Sequence, residues 1–429
     1  MCGSLSQESH LRGGGVSMVK PYVIIGTGAA GIAAAERLRL LKPEAPIQMM
    51  SVDEYSHSRC MLHKYLGGER DEKGLSFVDE DFFEKKNIMW GRGQAAKAID
   101  PKEKRVIMEN GYQPYEKLLI ATGSVFGIPP IPNFRTAANV FGFRDLSDAQ
   151  KMNKAIEELN AKHVFIVGSG LVGLDVAYAL IERGIQVTIA EMADRVLPLQ
   201  TDAVSARAYQ ELFEKAGAVF KLGIGAGDSV VNEKNQITAV KLSNGEEIPC
   251  DFVVCAAGVR PNLSFLEGSG LAVERGIVVD ECMRTSDPDI YAAGDVTALS
   301  GIWPNAMDQG RIAVANMCGQ QQKYTDTFCI KNTINFFGLT MLSVGEVEPK
   351  EEGSQVYTRE CRNAYQKVIV RDGVVKGVQF QGDISHTGFW QYLIKNQIDI
   401  SGKLKEKSVF DLSYGDFYGT DELGEYRYT

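Results

Sequence analysis

Paired cysteines are missing from this sequence. Its eight cysteines show no CxxC pair and no spacing typical of metal ligands; they stand at positions 2, 60, 250, 255, 282, 318, 329 and 361. Iron–sulfur clusters and structural zinc sites need several thiolates close together, so we predict no metal site. A redox disulfide between two neighbouring cysteines is excluded as well. Scattered cysteines are typical of a reducing compartment, and we therefore predict a cytoplasmic protein.

An excess of positive charge and long apolar runs are also missing. The net charge is −9 and the pI is near 5.3, which argues against a nucleic-acid partner. No apolar run approaches the length of a membrane span. Residues 1–17 lack the basic and apolar regions of a secretory signal, so we expect a disordered or expression-derived leader, with Met18 as a possible natural start.

The length and the composition indicate a soluble protein of several domains. The 429 residues exceed what one compact core usually holds, so two or three domains are expected. With 44% hydrophobic and 24% charged residues, the composition is that of an ordinary globular protein.

The most informative stretch begins at Tyr22. An apolar run from Tyr22 to Ile25 predicts a buried parallel strand, and the alanine-rich stretch from Ile32 to Leu41 predicts a helix. The turn between them has the spacing GxGxxG and is made by Gly26, Gly28, Ala29, Ala30 and Gly31. In this arrangement the first glycine permits the tight turn, the second leaves room for a pyrophosphate, and the third lets the helix pack closely on the strand. The stretch therefore predicts a dinucleotide site.

A second apolar run supplies an acid for this site. Residues 47–52 predict the next strand, which ends at Asp53. A carboxylate at that point accepts hydrogen bonds from a ribose. Asp53 is the favoured ligand and Glu54 is the alternative.

The same arrangement recurs more completely from residue 163. His163 to Val167 predicts a strand and Leu174 to Glu182 a helix, and the turn between them contains Gly168, Gly170, Leu171, Val172 and Gly173. Glu191 ends the following strand, where a carboxylate binds both ribose hydroxyls and repels a 2′-phosphate. Because no arginine directly follows Glu191, the pattern favours NADH over NADPH.

A loop that opens into a helix lies between the two turns. It contains Arg59, Cys60 and Lys64, and we expect it to cover whatever ring the first turn positions. Cys60 beside Arg59 at a helix start is a candidate thiolate, and Lys64 is a candidate positive charge beside a reduced ring. The alternative is that both cations solvate a helix end and the cysteine simply packs.

Three further motifs complete the pattern. They are Ala121-Thr122-Gly123 after a predicted strand, the segment from Gly258 to Asn262, and the segment from Tyr291 to Asp295, which includes Gly294. Asp295 at a strand end is well placed to accept a hydrogen bond from a sugar-alcohol hydroxyl. The prolines from Gly127 to Pro132 indicate the exit from a domain.

With these motifs the chain resembles the pyridine nucleotide–disulfide oxidoreductase superfamily, the flavoproteins with two dinucleotide-binding domains, over residues 18–419. The resemblance implies FAD on the first glycine turn and Asp295, NADH on the second turn, and a C-terminal domain for dimerisation or docking. The implied fold is α/β, with two doubly wound domains and an α+β C-terminal domain. The expected boundaries are 18–145 and 283–322 for the FAD domain, 146–282 for the inserted NAD domain and 323–429 for the last domain.

Two branches of the superfamily match the segment around Cys60. Residues 59–66 look like the Arg-Pro-Pro-Leu-Ser-Lys-Tyr-Leu segment of ferredoxin and rubredoxin reductases and of nitrite reductase flavin domains. In that branch the lysine, here Lys64, pairs with an acid that would be Asp175. In the other branch, that of coenzyme A-disulfide reductases, NADH oxidases and NADH peroxidases, Cys60 would be the redox cysteine. Met61 and Leu171 depart from this second branch.

The predicted function is transfer of hydride from NADH to FAD and of electrons onward. The acceptor would be a rubredoxin-like or ferredoxin-like carrier protein or a larger redox complex, and a homodimer is expected. The first alternative is direct reduction of a disulfide, peroxide or oxygen through Cys60. The second is a flavoprotein subunit whose nucleotide binding mainly supports assembly.

Overall fold

The computed structural model describes residues 19–326, 331–361, 364–420, 422 and 425–428. The predicted leader, residues 1–17, lies outside the described residues. Among the described residues, no helix is both long and apolar enough to cross a membrane.

The first sheet has five parallel strands and begins the chain. From one edge to the other the strands are Ile290–Ala292, Leu118–Ile120, Tyr22–Ile25, Ile47–Met50 and Ile88–Gly91. The central strand is apolar and almost wholly buried, as expected for a strand covered on both faces. The edge strand Ile290–Ala292 pairs with Leu118–Ile120, although the two strands are about 170 positions apart in the chain. A second domain is therefore inserted between these two strands.

Two helices cover one face of the first sheet. They are Ala29–Leu41 and Trp303–Met317, and alanine-rich sequence favours helix in the first of them. They pack closely because Gly310 has no side chain: an added Cβ would lie 2.2 Å from the Ala30 carbonyl oxygen. The connections contain two short helices and one 3-10 turn. The helices are Leu62–Leu66 and Phe82–Lys85, and the turn is Arg59–Met61.

The second sheet is also parallel and five-stranded. Its order is Val219–Leu222, Gln186–Glu191, His163–Val167, Phe252–Cys255 and Val140–Gly142. Its helices are Leu146–Glu158, Leu171–Glu182 and Ala203–Lys215. The strand Val140–Gly142 lies before the boundary predicted at residue 145, yet it pairs with Val253, Val254 and Cys255 of this sheet.

Two small antiparallel units are insertions within the parallel sheets, the first between strands Ile88–Gly91 and Leu118–Ile120 and the second between Val219–Leu222 and Phe252–Cys255. One contains Ala96–Asp100, Arg105–Met108 and Gly111–Pro114, and another contains Ala226–Val231, Ile237–Leu242 and Glu247–Pro249. A two-stranded ribbon pairs Ser124–Phe126 with Val259–Pro261. This ribbon joins the segments that leave and re-enter the first domain.

The C-terminal domain has an antiparallel sheet. Its order is Lys331–Phe336, Leu339–Gly345, Val374–Gln381, Ala364–Arg371 and Gln355–Cys361, and helix Thr387–Lys395 packs on it. A last hairpin pairs Tyr418–Thr420 with Tyr426–Tyr428. A buried polar network ties this domain to the second sheet, because Asp202 accepts a hydrogen bond from the Tyr365 hydroxyl at 2.5 Å and lies 3.3 Å from Lys367 Nζ.

Candidate functional site

The first glycine turn lies where strand Tyr22–Ile25 meets helix Ala29–Leu41. Gly26 has φ +111°, and an added Cβ would lie 2.2 Å from the Ala121 carbonyl oxygen. At Gly31 an added Cβ would lie 2.0 Å from the Gly26 carbonyl oxygen. Backbone atoms cannot give way as a flexible side chain can, so both positions need glycine for the turn to close.

Gly28 is glycine for a different reason. Its φ of −80° suits any residue, and an added Cβ would meet only the Arg59 Nη1 atom, at 3.0 Å. The neighbouring Thr27 hydroxyl is buried, and no hydrogen-bond partner for it exists within the described part of the chain. A pyrophosphate binds in open space above a helix N-terminus, where groups that donate hydrogen bonds surround it. Here Arg59 and the Thr27 hydroxyl are such groups. The turn therefore fits FAD.

A cleft opens above this turn, with about 1000 Å³ of atom-free space including solvent at its mouth. Twelve of the predicted residues line it: Gly26, Gly28, Ala29, Ala30, Asp53, Arg59, Cys60, Ala121, Thr122, Gly123, Gly294 and Asp295. Glu54, Lys64 and Gly258 are not among its lining residues. Sequence reasoning missed other lining residues, among them Gln94, Arg144, Phe265 and Trp303, whereas Asn262 ends the predicted motif that begins at Gly258.

Arg59 joins two carboxylates at one wall of the cleft. Its guanidinium lies 2.7 Å from Asp145 and 3.4 Å from Asp53. Burial raises the pKa of the Asp53 carboxyl, against the opposing effects of Arg59 and His57. Asp53, His57 and Asp145 present ligand atoms within 4.8 Å of one another, the spacing of a metal site. Since Arg59 already contacts both carboxylates, it supplies the charge that a metal ion would bring.

Asp295 and Arg144 form a second charged pair of the cleft. Arg144 Nη2 lies 2.5 Å from Asp295 Oδ2, and the Ser124 hydroxyl donates to the same oxygen at 3.0 Å. Arg144 lies two residues after the end of strand Val140–Gly142 of the second sheet, so it reaches into the FAD cleft from the inserted domain. Only one feature of the sequence points to Arg144 as a residue of the cleft, namely its position after the carboxyl end of a strand. That feature is a weak signal.

The second glycine turn repeats the geometry of the first. Gly168 has φ +101°, and an added Cβ at Gly173 would lie 2.0 Å from the Gly168 carbonyl oxygen. At Gly170 an added Cβ would meet no atom within 4 Å, so the protein's own packing does not require glycine there. We attribute the glycine at this position to the space that a bound nucleotide needs. Leu171 and Val172 form the first turn of the helix that follows.

Glu191 is held rigidly beside the second turn. Its Oε2 accepts hydrogen bonds from the Ser169 amide at 2.9 Å and the Ser169 hydroxyl at 3.1 Å, and its Oε1 accepts one from the Ala193 amide at 2.9 Å. A carboxylate offers about four lone-pair positions, so Oε1 keeps capacity for a ribose hydroxyl. The next side chain, Met192, is 82% exposed and uncharged. The arrangement suits NADH, which has no 2′-phosphate.

The expected pair between Lys64 and Asp175 is not formed. Lys64 Nζ instead lies 2.8 Å from both carboxylate oxygens of Glu69. The residue that faces Asp175 is His63, whose Nδ1 lies 3.6 Å from Asp175 Oδ1. Glu69 offers the lysine a nearer, partly exposed partner.

Burial changes the protonation of the His63 and Asp175 side chains. It raises the pKa of Asp175 to about 8, against the attraction of Lys64. It lowers the pKa of His63 to about 4, and the charge of Lys64 adds to that effect. Near pH 7 both groups are therefore neutral, and this contact joins helix Leu62–Leu66 to helix Leu171–Glu182 without an ion pair.

Cys60 lies at the mouth of the FAD cleft and is accessible to solvent. The surrounding protein raises the pKa of its thiol, and Asp175 raises it further. Arg144 and Arg59 act in the opposite direction but with smaller effect. The thiol is therefore protonated near neutral pH. This is the opposite of the lowered pKa that the position beside Arg59 predicted.

Comparison with known proteins identifies the family. Residues 20–310 match the family model described as pyridine nucleotide-disulphide oxidoreductase, and residues 331–398 match the C-terminal domain of rubredoxin NAD+ reductase. The NADH-dependent phenylglyoxylate dehydrogenase subunit epsilon of Aromatoleum evansii is 31% identical over 89% of this chain and 92% of its own. The nitrite reductase of Bacillus subtilis is 30% identical over 92% of this chain, which spans 49% of that protein.

Solved structures agree with this family match. The ferredoxin reductase of the CYP199A2 system from Rhodopseudomonas palustris has a TM-score of 0.81 and 25% identity, over 91% of this chain and 98% of its own. The predicted α/β fold, the oxidoreductase class and the cofactors FAD and NADH are thereby confirmed. The chain belongs to the pyridine nucleotide-disulphide oxidoreductase family.

Proposed function

We propose that this enzyme oxidises NADH and passes the electrons through FAD to a carrier protein or to a larger redox complex. When bound, FAD supplies a ring that accepts a hydride from NADH and releases electrons singly. The first domain would hold FAD through the turn at Gly28 and the Arg59 guanidinium. The Arg144–Asp295 pair, which also lines the cleft, would supply further polar groups to it.

The second domain orients NADH. Its pyrophosphate would lie on the amides after Gly168 and Gly170, at the N-terminus of helix Leu171–Glu182. Glu191 would accept a hydrogen bond from the adenosine ribose through Oε1. Leu171 and Val172, in the first helical turn, would position the nucleotide against the cleft that Cys60 lines.

The observation that carries the choice of acceptor is the state of Cys60. A thiol enzyme needs a thiolate to attack a disulfide or peroxide. Here burial and Asp175 raise the pKa of the Cys60 thiol, so the nucleophilic form is scarce at neutral pH. Electrons would therefore leave FAD directly for an external acceptor. In this proposal Cys60 only fills space beside the flavin.

The names of the relatives support both kinds of acceptor. One relative is a ferredoxin reductase, and another is a subunit of a dehydrogenase. The chain spans about half the length of the nitrite reductase. A homodimer formed through the C-terminal domain and a cytoplasmic location remain part of this proposal, as do the domain boundaries predicted above, except that strand Val140–Gly142 belongs with the second sheet. Sedimentation of the purified holoenzyme tests the dimer.

A second candidate is reduction of a disulfide, peroxide or oxygen through Cys60. The observation in its favour is that Cys60 is accessible and lines the FAD cleft. It requires FAD to lower the pKa of the thiol once bound. The third hypothesis, a mainly structural subunit, predicts that the isolated chain does not turn over NADH with an artificial dye.

Stopped-flow absorbance of the Cys60→Ser variant separates these hypotheses. If the protein is a carrier-protein reductase, the variant should reduce its flavin with NADH and pass electrons to an artificial acceptor within a few-fold of the parent rates. The matched control is Cys361→Ser, an exposed cysteine in the C-terminal sheet. A long-wavelength thiolate–flavin band in the parent enzyme, lost in Cys60→Ser but kept in Cys361→Ser, would overturn the proposal.

A further inference from the structure

A second cavity lies in the C-terminal domain, between the antiparallel sheet, the start of helix Thr387–Lys395 and the segment 410–414. We call it the C-terminal pocket. Its cavity volume is about 310 Å³, at the lower end of the usual range of small-molecule sites. None of the residues assigned to FAD or NADH lines it. It therefore needs an explanation of its own.

The inner wall of the C-terminal pocket is aromatic. Phe380, Phe389 and Trp390 are each 3% exposed. The ring centroids of Phe380 and Trp390 lie 5.4 Å apart, and those of Phe389 and Tyr414 lie 5.2 Å apart, both edge to face. Rings packed against one another in this way are fixed in orientation. These three rings form a rigid buried floor, and the accessible aromatic surface of the pocket is the Tyr414 ring, which is 43% exposed.

One cation at the rim is held in place. Arg359 donates two hydrogen bonds to the Gln366 side-chain oxygen, at 2.9 Å from Nε and 2.6 Å from Nη2, and its guanidinium lies 4.7 Å from the centre of the Phe410 ring. Because the fork is already oriented, binding a carboxylate costs it little further entropy. Its contact with Asp411 is loose, at 3.6 Å, and that carboxylate is 64% exposed.

The other rim groups do not oppose an anion strongly. Asp383 also lines the pocket, and the Ser385 amide, which donates to its carboxylate at 2.9 Å, favours the anionic form. Its side chain is exposed, so solvent and salt screen this charge. A contact of an exposed acid with Arg359 contributes little, so a ligand carboxylate can displace Asp411.

We propose that the C-terminal pocket binds a planar aromatic carboxylate, with its ring against the Tyr414 ring above the buried floor and its carboxylate on Arg359. The ring body accounts for the aromatic wall, and the acid accounts for the oriented guanidinium. This site is separate from the electron path and does not depend on the identity of the electron acceptor.

Calorimetric titration of the holoenzyme, with saturating NAD+ to fill the nucleotide site, tests this proposal. The probes are 2-naphthoate and its neutral analogue 2-naphthamide. We expect 2-naphthoate to bind, and its affinity to fall by about 10- to 100-fold in Arg359→Gln, since a charge-assisted hydrogen bond is lost. The amide should bind the parent protein with a similarly reduced affinity. Lys405→Gln, an exposed cation outside the pocket, should bind 2-naphthoate as the parent does.

A second variant blocks the pocket without touching its cation. An added Cβ at Gly388 would meet only the Tyr414 hydroxyl, at 3.6 Å, so Gly388→Leu places a larger side chain at the mouth without backbone strain. It should abolish binding while flavin content stays at the parent level. Absence of 2-naphthoate binding to the parent, or equal affinity in the parent and in either pocket variant, overturns the proposal.

Discussion

Replacing Asp175 by asparagine should stabilise the protein, and the gain should grow with pH. Burial raises the pKa of this carboxyl from an ordinary 3.8 to about 8. A group with a raised pKa in the folded state contributes its full stability at low pH and loses it as the pH rises toward the folded pKa. The folded state therefore loses about 1.4 kcal/mol for each pH unit between about pH 4 and pH 8. Asparagine has nearly the same shape and no proton to lose.

The size of the effect follows from the surroundings of the carboxyl. A shift of about four units sets a ceiling of about 5 kcal/mol above pH 8. The Asp175 side chain is 27% exposed, and solvent screening lowers the expected gain to about 2 to 3 kcal/mol. His63 contributes in the opposite direction at lower pH. Its pKa is lowered to about 4, so its contribution is present at neutral pH and is lost as the pH falls from about 6.5.

Thermal unfolding of the holoenzyme at several pH values measures this effect. Between about pH 5 and pH 8, the Tm of Asp175→Asn should rise above that of the parent by an amount that increases to about 2 to 6 °C. The matched control is Asp194→Asn, whose side chain is 84% exposed, and its difference from the parent should stay flat. A gap that is constant with pH, or that narrows toward pH 8, would show that Asp175 is ionised in the folded protein.

Three further predictions concern the cofactor sites. Glu191→Ala should lower kcat/KM for NADH by about tenfold or more, because one hydrogen bond to the ribose is lost. It should also narrow the preference for NADH over NADPH, because the carboxylate no longer repels a 2′-phosphate. Equal rates with both nucleotides in the parent enzyme would contradict the assignment. Gly28→Val should purify with little flavin, as judged by the flavin-to-protein absorbance ratio, whereas a fully yellow variant would refute the FAD site. Asp295→Ala should also lower flavin content, and Arg144→Gln should do so to a similar extent if the two side chains act as a pair; full loading of both would contradict that role.

Much of this fold could be predicted from local pattern alone. The apolar run at Tyr22–Ile25 is a central strand because a strand covered on both faces needs apolar residues throughout. The short spacings around Gly28 and Gly170 encode the two turns, because such turns depend only on neighbouring residues. The strands Ile88–Gly91 and Gln355–Cys361 were missed, since both carry exposed or polar side chains that break the apolar pattern.

Tertiary structure alone decided which charged groups meet. Sequence spacing placed Lys64 near the flavin, but a long flexible side chain pairs with whichever carboxylate lies nearest, and here that is Glu69. Arg144 enters the FAD cleft because strand Val140–Gly142 joins the second sheet, a pairing that depends on residues more than a hundred positions away.

By itself, the sequence determined the two nucleotide turns, the α/β class and the family. Each of these is specified by short motifs whose residues lie close together in the chain. Only the packed structure decided that Cys60 has a raised pKa and that His63, not Lys64, faces Asp175. The physical reason is that burial and electrostatic fields arise from all surrounding groups, and those groups come from distant parts of the chain.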